Sequence, residues 1–158
     1  MIIMHSFSDK ILNSLTGLFF LALFAPFFFW DKLEGAKIPT HFNMSGQADG
    51  WGGRCFFVIL VAIAIALGLF LILCYKYPNM INYPRKISKE DKPKLYLIGK
   101  KMILRLLPII MALFAFISIN SLLMALGEVD HLFNWIMHLL LGCLVLCVVV
   151  FIVDTNRI

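Results

Sequence analysis

The chain alternates between long apolar runs and shorter polar segments. Four runs of at least 20 residues contain no Asp, Glu, Lys or Arg; they span residues 11–30, 55–75, 106–126 and 132–153. A helix of about 20 apolar residues crosses the hydrocarbon core of a bilayer, and backbone in lipid must satisfy its own hydrogen bonds. The pattern therefore predicts an all-α integral membrane protein, a bundle of four transmembrane helices forming a single membrane domain over residues 1–158.

The composition supports this fold class. Of the 158 residues, 61% are hydrophobic and only 15% are charged, whereas a soluble domain is roughly half apolar and about a quarter charged. An ordinary soluble domain is therefore excluded, and the lipid bilayer is the first expected partner.

Lysine and arginine are unevenly divided between the two sides that four crossings create. The N-terminal tail, the 76–105 loop and the C-terminal residues carry eleven, while the 31–54 loop and the turn before the fourth run carry three. Because basic residues stay in the cytoplasm, both termini are expected there, and the 31–54 loop is expected outside a bacterial inner membrane. Anionic lipid headgroups explain the net charge of +5, so no nucleic-acid partner is predicted.

The cytoplasmic loop contains a helical pattern of its own. Leu95, Ile98 and Met102 recur at helical spacing, and lysines take the remaining faces. This pattern predicts a basic amphipathic helix lying at the headgroups before it bends into the third span; a solvated charged loop is the alternative. Pro108 and Pro26 are expected to kink the third and first spans.

The outer loop contains the segment IPTHFNMSGQADGWGGR, residues 38–54. Its Ser-Gly, Asp-Gly and Gly-Gly pairs are successive turn signals, which predict an ordered loop folded as a cap. The residues expected to form a binding or structural motif are Pro39, His41, Phe42, Asn43, Gly46, Asp49, Gly50 and Trp51. A lid that only seals the bundle is the alternative.

A polar cluster is expected at the same outer end of the bundle. Its members are Asn120, Glu128, Asp130, His131, Asn134 and His138. Because a short turn joins the third and fourth spans, Asn120 and His138 are predicted to lie at matched depth and to contact each other. The loop is expected to fold inward and bring His41 and Asp49 near Glu128, Asp130 and His131.

These residue types bind zinc and take part in acid–base catalysis. Their spacing, however, matches no metal motif, so the sequence predicts no cofactor and no catalytic residue. The alternative is a divalent metal ion at the outer end, with His41, Asp49, Asp130 and His131 as its candidate ligands.

Residues 38–52 resemble the hallmark of the domain of unknown function 1648 family, which consists of small bacterial membrane proteins. The shared pattern is Ile-Pro-x-His-Phe-Asn, a Gly, and Asp-Gly-(Trp/Tyr)-Gly between the first two spans, and NYPRKISKED at residues 82–91 resembles a second stretch. Relatives include Sdp-type immunity proteins, which protect a cell from a secreted peptide toxin and hold a repressor at the membrane.

The resemblance and the ordered loop together favour a binding function over an enzymatic one. The protein is expected to be a sensor or immunity-like protein that recognises an external ligand, peptide or membrane-protein partner through the outer loop. The alternatives are a structural or assembly partner of another membrane protein, and a metal-dependent membrane enzyme acting at the outer face.

Overall fold

The computed structural model describes residues 7–84, 88–131 and 133–158. Its elements, in chain order, are α1 (Phe7–Ala22), a 3₁₀ helix (Ala25–Leu33), β1 (Ile38–Phe42), β2 (Ala48–Gly52), α2 (Cys55–Lys76), a short 3₁₀ turn (Pro78–Met80), α3 (Lys92–Ala125) and α4 (Asn134–Asn156). Four helical stretches in these residues are long and apolar enough to cross a membrane: Phe7–Leu33 and the three helices α2, α3 and α4. The four predicted spans are thereby confirmed in length and composition, although Leu132, the first residue of the fourth, lies outside the described residues.

Helix α3 is the centre of the bundle. Helices α1, α2 and α4 each pack against it, and the bulk of the apolar surface of α1 and α4 stays exposed, as expected for helices that face lipid. A row of small buried residues runs along α3 at a spacing of three: Ala112, Ala115, Ser118 and Ser121. Small side chains let neighbouring backbones approach closely inside a membrane, so this row allows close packing around α3.

The first span changes its helix type near Pro26. Helix α1 ends at Ala22, and the chain continues from Ala25 as a 3₁₀ helix with the proline in its first turn. Proline has no N–H to donate to the preceding turn, which accounts for the break predicted there. The hydroxyl of Ser118 donates a hydrogen bond to the carbonyl of Leu23 at 3.0 Å and fixes this break against α3.

Helix α3 differs from the predicted arrangement. The basic segment does not form a separate helix, because α3 runs without interruption from Lys92 to Ala125 and includes Pro108. Leu95 is fully buried and packs with Tyr83 and Phe151, and Ile98 packs against the same cluster. The apolar face of this segment therefore contacts protein rather than headgroups, since the chain before α3 and the end of α4 cover it.

Tyr83 belongs to the second stretch of family resemblance, of which residues 85–87 lie outside the described part. Its hydroxyl donates to the carbonyl of Pro78 at 3.1 Å and lies against Gly99, where an added Cβ would come within 2.4 Å of the phenol oxygen. Burial first, and the neighbouring Tyr96 second, raise the pKa of Tyr83 to about 12. This tyrosine therefore joins the chain before α3 to α3 itself.

The 31–54 segment contains a two-stranded antiparallel sheet, which corrects the all-α prediction. Strands β1 and β2 pair as a hairpin, and Ile38 at the start of β1 is buried with Leu33, Phe57 and Leu122. We call this end of the bundle the hairpin end and the opposite end, where α3 begins, the basic end. The cytoplasmic position of the basic end stays a prediction.

Candidate functional site

The turn of the hairpin is organised by Asn43. Its side-chain oxygen accepts hydrogen bonds from the N–H groups of Ser45 and Gln47, both at 3.0 Å, and its own N–H donates to the Gln47 carbonyl at 2.9 Å. Gly46 has a φ of +79°, a conformation that side chains strongly disfavour. The Ser45-Gly46 turn signal thus lies in a fixed turn around the asparagine side chain, whereas Asp49, Gly50 and Gly52, also expected in turns, lie in β2.

The two strands carry a paired histidine and aspartate. The register aligns Pro39 with Trp51, His41 with Gly50, and Phe42 with Ala48, so the ladder is irregular on both sides of His41. A Cβ at Gly50 would come within 2.8 Å of the His41 Cβ, and only glycine allows this close approach. His41 Nδ1 lies 2.5 Å from Asp49 Oδ1, with the two side chains 74% and 46% exposed.

Buried contacts attach the base of the hairpin to α3. The hydroxyl of Ser121 donates to the carbonyl of Pro39 at 2.9 Å, and Pro39, Ile38 and Ser121 are all fully buried. Buried polar groups that find a partner stabilise one arrangement of the backbone. The hairpin is therefore fixed to α3 through β1, while the His41–Asp49 pair stays accessible.

A second attachment joins the hairpin turn to the start of α4. Asn134 donates a hydrogen bond from its side-chain nitrogen to the Met44 carbonyl at 3.4 Å. A Cβ added at Gly46 would come within 2.3 Å of the side-chain oxygen of Asn134. Asn134, predicted as part of the polar cluster, thus contacts the loop, and the hairpin covers the ends of α3 and α4.

Arg54, the basic residue that ends the 38–54 segment, forms a third attachment. Its guanidinium donates to the carbonyl of Trp30 at 3.1 Å, lies over the Trp30 ring at 4.9 Å from the centroid, and is 3.6 Å from a Glu34 carboxylate oxygen. These contacts join the 3₁₀ helix to the start of α2. No role was assigned to this arginine from the sequence.

The predicted metal ligands form two separate pairs. His131 Nδ1 lies 3.0 Å from Asp130 Oδ1 on the exposed turn before α4, and this hydrogen bond is the main cause that lowers the pKa of Asp130. Within residues 7–84, 88–131 and 133–158, no three His, Cys, Asp or Glu side chains gather to hold a metal ion. The expected single group of His41, Asp49, Asp130 and His131, with Glu128 beside it, is corrected to two pairs.

The predicted contact between Asn120 and His138 is wrong. Asn120 is buried and donates to the Phe116 carbonyl at 2.9 Å, and its side-chain oxygen accepts no hydrogen bond from the described residues. His138 is exposed, and its Nδ1 lies 2.6 Å from the carbonyl of Asn134. Both side chains turn to a carbonyl one turn earlier in their own helix, which is a common local solution for polar residues in helices.

Exposed apolar side chains accompany the His41–Asp49 pair. Met44 at the hairpin turn is 88% exposed and Trp51 on β2 is 54% exposed. Apolar and aromatic residues beside hydrogen-bonding groups are typical of the central part of binding surfaces. We call His41, Met44, Asp49 and Trp51 the hairpin surface; its chemistry suits recognition, because it combines a hydrogen-bonding pair with apolar area on a fixed backbone.

Comparison with known proteins gives one match. Residues 17–67 match the model of a protein family described as a domain of unknown function, DUF1648. No curated protein and no solved structure matches the chain. The matched residues begin within α1 and end within α2, so they include both strands and the whole hairpin surface. The hairpin and the two helical segments that flank it are therefore the part of the chain that is similar to the DUF1648 family.

Proposed function

We propose that this multi-pass membrane protein is a sensor or immunity-like receptor that binds an external peptide or membrane-protein partner through the hairpin surface. The observation that carries the proposal is the exposed His41–Asp49 pair on a hairpin whose base is buried against α3. The uneven distribution of lysine and arginine supports an external position for this surface.

The hairpin has both buried residues that attach it and exposed residues that do not, and this favours binding over a purely structural cap. Ile38 and Pro39 make the buried contacts that a lid needs, whereas His41 and Met44 add little to those contacts because they face away from the bundle. A surface that is ordered before binding loses less conformational entropy when a partner arrives. This preorganisation is what a recognition surface gains from its attachment to α3.

The nature of the partner follows from the chemistry of the surface. The imidazole and carboxylate offer hydrogen bonds to main-chain or polar side-chain groups, and the Met44 and Trp51 side chains offer apolar contact. A peptide presents both kinds of group together. A permanent assembly with another membrane protein uses the same contacts, and its partner would remain bound after the cells are washed.

Photo-cross-linking in intact cells tests the proposal. Benzoylphenylalanine replaces Met44 or, separately, Trp51, and we expect one discrete cross-linked product at each position after irradiation. The His41→Ala substitution should remove the product, because the hydrogen-bonding pair is lost. The matched control is His131→Ala, which removes a histidine of the other His–Asp pair and should leave the product intact.

Two outcomes contradict the proposal. One is the absence of a discrete product from either position, and the other is a product of equal yield in the His41→Ala variant. Washing the cells before irradiation separates the two kinds of partner: a secreted peptide is removed and restored by conditioned medium, whereas an integral membrane partner persists.

A further inference from the structure

An apolar groove lies on the side of the bundle, between α1, α3 and α4. It has a volume of about 580 Å³ and is lined by Leu15 and Phe19 of α1, Pro108 and Ala112 of α3, and Cys143 and Cys147 of α4. All three helices are membrane-spanning candidates, so the groove opens toward lipid. A membrane protein that leaves such a groove between its helices has it filled by an apolar chain, since an empty apolar space forfeits packing contacts.

One end of the groove is basic. Among the residues that line it, Arg105 alone is charged. Its side chain is exposed and forms no ion pair with the described residues. Lys101, also exposed, precedes it by four residues on the same face of α3. This face therefore passes directly from two cations to the apolar floor of the groove.

Arg105 stands at the depth expected for a headgroup. It precedes Ala125, the last residue of α3, by 20 residues, which is about 30 Å of helix and matches the thickness of the hydrocarbon core. The part of α3 without charged residues begins directly after Arg105 and continues toward the hairpin end. The guanidinium is thus placed at the border between hydrocarbon and headgroups, where arginine side chains extend toward phosphate.

The length of the groove identifies its occupant. The lining residues of α4 extend from Leu140 to Val150, about 15 Å along the helix, which is half of a hydrocarbon core of about 30 Å. A transmembrane helix of a partner, or of a second copy of this chain, would need a groove along the full height. A groove as long as one leaflet is thick, with a cation at the end nearer the headgroups, fits a single lipid molecule.

We propose that this groove is a binding site for an anionic glycerophospholipid of the leaflet at the basic end. One acyl chain lies between α1 and α4 over Pro108 and Ala112, and the phosphate accepts hydrogen bonds from Arg105, with Lys101 adding charge. The planar guanidinium donates two parallel hydrogen bonds to phosphate oxygens, which makes arginine well suited to this contact. The site is independent of the hairpin surface and lies at the other end of α3.

Native mass spectrometry of the purified full chain tests the site. The protein in detergent receives equal amounts of phosphatidylglycerol and phosphatidylcholine with identical acyl chains. We expect one retained phosphatidylglycerol and a preference of about fivefold for each engaged cation, since one basic residue near an anionic headgroup contributes about 1 kcal/mol. Arg105→Gln should lower this preference about fivefold.

Matched variants separate the headgroup from the groove. Cys143→Phe fills the groove from α4 and Leu15→Phe fills it from α1, so each should weaken retention of both lipids. The controls are Lys92→Gln, a cation on a different face of α3, and Leu139→Phe, an exposed position of α4 that does not line the groove. Both should retain lipid as the unsubstituted protein does.

The proposal fails if the unsubstituted protein retains the two lipids equally, or if both groove-filling variants retain phosphatidylglycerol normally. The second result would mean that the cations bind headgroups without an acyl site. Circular dichroism checks that each variant keeps its helix content. Since Cys143→Phe and Leu15→Phe fill the groove from different helices, weaker lipid retention in both cannot be explained by the misfolding of one variant.

Discussion

Ser121 on α3 and Pro39 on β1 are 82 residues apart in the chain and are joined by a hydrogen bond of 2.9 Å from the serine hydroxyl to the proline carbonyl. Both residues are fully buried, so the carbonyl has no access to water if the hydroxyl is removed. The contact couples the position of the hairpin to the central helix, and it is the first contact we would test.

Ser121→Ala should loosen the hairpin without unfolding the bundle. An unsatisfied buried carbonyl costs about 1–3 kcal/mol, and we expect faster amide hydrogen exchange in residues 38–52 of protein reconstituted in nanodiscs. Ser118→Ala is the matched control, because that serine bonds to Leu23 and its loss should affect residues 23–33 instead. Equal exchange of the hairpin in both variants would show that Ser121 does not hold it.

Gly46→Ala should displace the hairpin turn from α4. The substitution forces a side chain into a φ of +79°, which costs about 1–2 kcal/mol, and places a Cβ within 2.3 Å of the Asn134 side chain. Denaturation in mixed micelles should show this loss, and Asn134→Ala should relieve the collision but not the backbone strain. Gly53→Ala, at a position with open space and no positive φ, should leave stability unchanged.

Tyr83 should titrate at unusually high pH. Burial raises its pKa to about 12, whereas an unfolded tyrosine titrates near 10, so the folded state keeps the phenol proton longer than the unfolded state does. The stabilisation is fully present below about pH 10 and is lost as the pH rises toward 12. Ultraviolet absorbance of the tyrosinate should show a transition near pH 12, and Tyr83→Phe should abolish it.

The two His–Asp pairs should act independently. His41 and Asp49 contact each other, as do Asp130 and His131, so the effects of His41→Ala and His131→Ala on stability should add within about 0.5 kcal/mol. His41→Ala and Asp49→Ala should instead be non-additive by about 0.2–1 kcal/mol, which is typical of an exposed ion pair. Strong coupling between the two histidines in the double variant would indicate one shared network.

Cysteine labelling in intact cells should place the hairpin outside. A single cysteine at Gln47 should react with a membrane-impermeant reagent, and one at Lys89 should react only after the cells are permeabilised, because basic residues are retained in the cytoplasm. Native cysteines are replaced beforehand, since Cys55 and Cys143 are exposed. Reaction at Lys89→Cys alone would reverse the orientation.

The sequence was sufficient for the spans because they depend on length and apolar composition alone. It was insufficient for Asn120 and His138, because a rise of 1.5 Å per residue fixes the depth of a side chain but not the direction in which its helix presents it. That direction is set by how the helices pack against one another. Leu95 was assigned to lipid for the same reason, since the residues that cover it are distant in sequence.

The hairpin was missed in the sequence for a different reason. Gly46 was correctly interpreted as a turn position, whereas Gly50 and Gly52 lie within β2. Strands β1 and β2 have five residues each, and such short strands give a weak periodic signal. Ser118 and Ser121 were missed because serine within an apolar run reads as part of the span. Small residues in a membrane-spanning helix, here together with Ala112 and Ala115, were the available signal for close packing around α3.

Helix α3 has 34 residues and is about 51 Å long at 1.5 Å per residue, well above the roughly 30 Å of a hydrocarbon core. About 20 Å of the same continuous helix therefore extends past the core at one end. Ser121 fastens the hairpin near the other end, and Leu95 is packed within the protruding part. Because Ser121 and Leu95 lie on one continuous helix, any change in the tilt of α3 would move the hairpin and the lysine-bearing end together.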